Sequence, residues 1–122
     1  MSIYVDILIA ERNVYIHAKI PQAELKIMKL IWNKNDIVTS KEVMEAMELE
    51  CNWKATITLT LLSRLTIKRF LDSERIKRIT HYTILITKEE YKVFETRIFL
   101  REVHSNSIES LIDSLEDCCK NK

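Results

Sequence analysis

KATITLTLLSRLTIK, residues 54–68, carries leucines on one side of a helical wheel and short hydroxyls on the other. Leu61, Leu62 and Leu65 recur at helical spacing and point inward, which leaves Thr56, Ile57, Leu59, Thr60, Ser63 and Arg64 around the remaining surface. A core helix seldom keeps so many hydroxyls. A helix lying in the major groove of DNA often does, because short polar side chains let its backbone approach bases and phosphates. Two more amphipathic patterns precede this one. The first follows Pro21, a residue suited to a first helical turn, and places Ala23, Ile27, Met28 and Ile31 on one face before Trp32 closes it. After an exit loop over residues 33–38, Thr39 with Glu42 three residues on forms a capping-box signature for a second helix around Val43, Ala46 and Met47, ending near Leu49. Three such helices in residues 23–71, separated by short polar breaks, read as a helix-turn-helix unit.

Beyond Phe70 and Leu71 the period changes. Residues 72–78 are mostly charged and residues 79–86 (ITHYTILI) are rich in β-branched side chains, predicting a hairpin with strands near 73–77 and 80–85. A basic hairpin directly after such a helix is a wing. Thr87 with Glu90 predicts the cap of a fourth helix bearing Tyr91, Phe94, Ile98 and Leu100, and Asn106 with Glu109 the cap of a fifth around Ile108, Leu111, Ile112 and Leu115. Their apolar faces exceed what so small a domain covers alone, so a symmetric dimer is expected, with Phe94, Ile98, Leu111 and Leu115 at its interface. At the other end, residues 3–10 and 13–20 alternate in β-prone fashion, and a hairpin turning near residues 11–13 or a loosely ordered leader fits them equally. The expected fold is mainly α with a small β wing: an N-terminal extension over 1–20, a winged-helix domain over 21–86 and dimerisation helices over 87–122.

Composition narrows the function. At 122 residues and 47% apolar content the chain is one domain, or one with a dimerisation element, and can bury a core in which Trp32 and Trp53 belong. The absence of glycine excludes Gly-rich phosphate loops. Cys51, Cys118 and Cys119, odd in number and two of them adjacent, suggest reduced thiols. With no apolar run near the roughly 18 residues of a membrane span and no secretory leader pattern, a cytoplasmic location without membrane insertion is expected. His17, His81 and His104 are too scattered for a zinc motif, and Glu89-Glu90 and Glu116-Asp117 read as cap and surface charges. No cofactor, metal or catalytic constellation is expected.

The net charge of +1 conceals a local concentration. Residues 54–82 hold seven basic side chains (Lys54, Arg64, Lys68, Arg69, Arg75, Lys77, Arg78) against Asp72 and Glu74, while the flanking segments are each acidic on balance. Such a patch is what phosphate binding needs. The expected DNA face therefore sets Thr56, Ile57, Thr60, Ser63 and Arg64 toward the groove, and Lys54, Lys68, Arg75, Lys77 and Arg78 toward phosphates. The apolar Ile57 and Leu59 on that face suit a second reading, a winged-helix interaction module with little DNA affinity; in the first they would meet thymine methyls. A thiol redox sensor using Cys118 and Cys119 is a third, supported by adjacency alone.

AELKIMKLIW (23–32), TSKEV (39–43), the Trp53 to LLSRL run (53–65), HYT (81–83) and KEEYKVFETRIFL (88–100), in this order, resemble the penicillinase repressor family of winged-helix transcriptional repressors over residues 20–117. The resemblance implies homodimers with intertwined terminal helices on inverted-repeat operators of resistance-type genes, relieved when a sensor-linked protease cuts the last helices. That cut would fall here at Ser114-Leu115 instead of the family's Asn-Phe. After Trp53 the family's serine, proline, lysine and threonine are Lys54, Ala55, Thr56 and Ile57, and an often basic position is Leu59. Its turn glycine after the third helix is Arg69, and its Gly-Gly between the last two helices is Ser105-Asn106.

Overall fold

The structure is a computed structural model and describes residues 7–9 and 14–120. In chain order its elements are β1 (Ile7–Ile9), β2 (Val14–Ile16), α1 (Gln22–Lys34), β3 (Val38–Thr39), α2 (Ser40–Cys51), α3 (Ala55–Ile67), β4 (Leu71–Ile76), β5 (Ile79–Ile84), α4 (Lys88–Glu102) and α5 (Ile108–Lys120). They fall into two compact units, Ile20–Lys88 and the described part of Met1–Lys19 with Glu89–Lys122.

In the unit Ile20–Lys88, the ends of α1 and the start and end of α2 are each set by a local device, and left-handed asparagines stand where glycine is usual. Pro21 stands in extended conformation one residue before α1, and its carbonyl accepts the Leu25 N–H at 2.9 Å. Asn35 ends α1 in the left-handed region at φ 54°, donating its N–H to Ile31. The capping box at the start of α2 is complete. Thr39 Oγ1 accepts from the Glu42 N–H at 3.2 Å, and the Glu42 carboxylate accepts from the Thr39 N–H at 2.9 Å. α2 runs to Cys51, two residues past the sequence expectation, because Asn52 at φ 57° supplies the left-handed stop that glycine usually provides.

The three helices close over a core of Ile27, Met28, Ile31, Val43, Met47, Leu62 and Leu65, all essentially without solvent exposure. Trp32 joins them and donates its indole N–H to the Ile86 carbonyl at 2.8 Å, tying α1 to the segment after β5. The antiparallel sheet has the order β3-β5-β4, with Val38 opposite Tyr82, Thr39 opposite His81, and Leu71 opposite Ile84. The wing strands begin earlier than the sequence suggested, and the two-residue turn between them shifts by one residue to Lys77 and Arg78.

In the other unit, β1 and β2 pair antiparallel, Ile7 facing Ile16. The expected turn at residues 11–13 and the first residues of the expected strand, 3–6, lie outside the described residues. The second strand stops at Ile16 instead of continuing to Ile20. On α4, Tyr91, Phe94 and Ile98 are buried, with the Tyr91 and Phe94 rings 5.8 Å apart. Phe94 and Ile98, expected at a dimer interface, are 0% and 6% exposed within this single chain and have almost no surface to offer a partner.

The cap of α5 also differs from expectation. Asn106, at φ 65°, is in the left-handed region, whereas an N-cap takes extended geometry. The cap is Ser107, whose Oγ accepts the Ser110 N–H at 3.1 Å. Ser105 and Asn106, both left-handed, make the turn between α4 and α5. α5 buries none of its residues. Leu111 is half-buried, while Ile108, Ile112 and Leu115 are 64%, 48% and 52% exposed along one side.

Candidate nucleic-acid interface

α3 presents the surface that its sequence promised. Leu61, Leu62 and Leu65 are buried, and Thr56, Ile57, Leu59, Thr60, Ser63 and Arg64 are all exposed. At about 100° per residue, Thr56, Thr60, Ser63 and Ile67 fall within a sector of roughly 60° at the centre of this face. Ile57 and Arg64 flank it on one side, Leu59 on the other. Thr60 Oγ1 donates to the Thr56 carbonyl at 2.9 Å, so its hydroxyl proton is spent on the helix's own backbone. Lys54 is the exposed, extended residue immediately before the helix, where no side-chain cap closes the first turn and the free N–H groups favour an anion.

An ion pair whose acidic partner, Glu24, sequence reasoning did not single out ties α1 to the end of α3. Glu24 on α1 is 1% exposed, and Lys68, just past the end of α3, places its Nζ 2.6 Å from the Glu24 carboxylate. Glu24 stands three and four residues before Ile27 and Met28, on the apolar face itself, which is the signal that a buried charge needed a partner. Lys68 is thus paired within the fold, although its side chain stays 41% exposed. Thr58 on α3 is fully buried, and its hydroxyl oxygen has no hydrogen-bond partner among the described residues.

The wing supplies the second cluster of charge. Arg75, Lys77 and Arg78 are exposed, with Ile76 and Ile79 paired across the ladder beside the turn and 43% and 47% exposed. Lys77 and Arg78 have φ of 51° and 69°, the conformation of a two-residue turn that ordinarily selects Asn-Gly. Arg69, at φ 64° between α3 and β4, lies 3.7 Å from Asp72. Burial pushes the Tyr82 phenol on β5 above its ordinary value, keeping it neutral behind the wing.

Among the described residues no group of three or more His, Cys, Asp or Glu side chains is arranged to hold a metal. Cys51 is half-buried, and Cys118 and Cys119 are exposed free thiols near the end of α5. Ser114 and Leu115 are exposed in the middle of that helix. No helix among the described residues is long and apolar enough to cross a membrane.

The profile of the family described as Penicillinase repressor matches residues 20–120. The penicillinase repressor of Bacillus licheniformis is 30% identical over 97 residues, covering 77% of this chain and 75% of that protein. The methicillin resistance regulatory protein MecI of Staphylococcus aureus (strain N315) is 26% identical over 94 residues, covering 77% and 76%. The solution structure of the DNA-binding domain of the repressor BlaI superposes with a TM-score of 0.55 at 32% identity, over 60% of this chain and 88% of that one. The Bacillus licheniformis BlaI monomeric form in complex with the blaP half-operator gives a TM-score of 0.52 at 30% identity, over 61% and 89%. Matched by the family profile over residues 20–120 and by the fold of the BlaI DNA-binding domain, this chain belongs to the penicillinase repressor family of winged-helix transcriptional repressors, a family without enzymatic activity.

Proposed function

We propose that this chain is a homodimeric repressor acting in the cytoplasm on an inverted-repeat operator, with α3 in the major groove and the wing on the flanking backbone. The observation that carries the reading is the exposed face of α3, hydroxyl-rich at its centre and flanked by Arg64, next to the wing cations Arg75, Lys77 and Arg78. Thr56, Ile57, Thr60, Ser63 and Arg64 read bases; Lys54, Arg75, Lys77 and Arg78 hold phosphates. A relative of the same fold was solved on a half-operator, which supports DNA as the partner. The dimer is assigned to α5, whose stripe of Ile108, Ile112 and Leu115 is left open in the single chain. Relatives named for methicillin resistance and penicillinase support resistance-type genes as targets, and a sensor-linked protease cutting at Ser114-Leu115 would relieve repression by removing Leu115 from that stripe.

Selection of bound sequences from random DNA tests this reading, and a two-fold symmetric motif is the expected result. An alternative is favoured by Ile57 and Leu59, 45% and 41% exposed on the same face: a winged-helix module that docks on protein. Binding no tighter than to random duplex would select it.

A further inference from the structure

Thr60 changes what α3 offers to a base. Its hydroxyl donates to the Thr56 carbonyl, so no proton remains to donate outward, and its Cγ2 methyl is the other group it presents. Ile57 and Leu59, on either flank, add branched apolar side chains 45% and 41% exposed. All three lie in the first two turns of α3, the part of a recognition helix that reaches base edges. Ile67, more exposed still, is in the last turn and too far along the helix to take part.

We infer that α3 reads its half-site chiefly through methyl groups, with thymine C5 methyls packed against Ile57, Leu59 and Thr60. The inference rests on the reading of α3 as a major-groove helix and adds the chemistry of the bases it selects. Among the four bases only thymine presents an apolar group in the major groove. Guanine O6 and N7, or the cytosine N4 amine, would lose water against an isoleucine and gain no partner, so discrimination comes from unpaired polar groups as well as from buried methyls. Arg64 beside Ile57 remains free to pair with an adjacent guanine. The half-site should therefore hold thymines on both strands around such a position.

The test replaces each thymine of the selected site, one at a time, by deoxyuridine, which keeps every hydrogen-bonding group and removes only the methyl. With the unmodified full chain, affinity should fall about fourfold for each contacted methyl, the worth of one buried carbon. Ile57→Ala and Leu59→Ala should erase the penalty at their own positions, and Arg75→Ala should leave all penalties intact. Both side chains are exposed, so these changes spare the core. A clear symmetric motif whose affinity is unchanged by deoxyuridine at every thymine would overturn the inference and leave the repressor reading standing. If selection yields no motif, α3 is not a reader and both fall together.

Discussion

Arg69, Lys77 and Arg78 hold left-handed backbone conformations that cost a residue with a Cβ roughly 1 kcal/mol each. At Arg69 the side chain offers only an exposed 3.7 Å approach to Asp72 against that cost, while the backbone bond of its N–H to Thr66 would survive in glycine, so Arg69→Gly is expected to stabilise the chain by about 0.5–1 kcal/mol in urea unfolding. At the wing tip the same strain accompanies two exposed cations. The double change Lys77→Asn with Arg78→Gly should likewise raise the unfolding midpoint, yet lower the slope of log affinity against log salt by about 2 per subunit. Gain of stability together with loss of binding would mark the turn as strained for function. The buried Thr58 hydroxyl supplies a contrasting case. Thr58→Val keeps the shape and removes an unpaired polar atom, and should stabilise by about 1 kcal/mol. Sequence alone left Thr58 unassigned because a threonine fits either side of a helical wheel. Glu24 went unread because charge was weighed by segment and not by face.

Among the elements, α2 and α3 were legible because amphipathic periodicity and the Thr39 to Glu42 signature agree. β3 was not, since two residues carry no period and their partner strand lies some forty residues on. The wing's register was missed for a related reason: a Lys-Arg turn gives no signal where Asn-Gly would. The start of α2 yields a pH prediction. The Lys34 ammonium, 2.5 Å away, and the Thr39 N–H hold the Glu42 carboxyl down at about 2 from an ordinary 4.5. A carboxylate held low in the folded state stabilises above its ordinary value and loses that contribution as pH falls toward about 2. Unfolding free energy should therefore decline across this acid window, and Glu42→Gln should flatten the decline. Glu42 is nearly half exposed, so solvent screening keeps the effect small.

For the whole molecule, the proposed dimer makes the exposed α5 stripe the feature to test. Ile112→Asp should shift sedimentation from dimer to monomer at micromolar concentration without disturbing the fold, because Ile112 is 48% exposed in the single chain. A chain ending at Ser114 should bind operator at least about tenfold more weakly, since each monomer supplies half the contacts. Sequence foresaw two helices beyond the winged unit; of the residues it set at the seam, Phe94 and Ile98 are covered within the single chain and Leu115 is exposed. Large apolar residues at helical spacing look alike whether their own chain or a second copy covers them. Thr39 has a consequence for how the DNA-binding unit comes apart. As the last residue of β3 it faces His81, while its hydroxyl accepts from the Glu42 amide that opens α2. One residue thus serves both the strand pair and the helix cap, so loss of the strand is expected to disturb the cap. In native-state hydrogen exchange the amides of β5 beside His81 and the amide of Glu42 should open with one common free energy, so the start of α2 and the wing are lost to solvent in a single event.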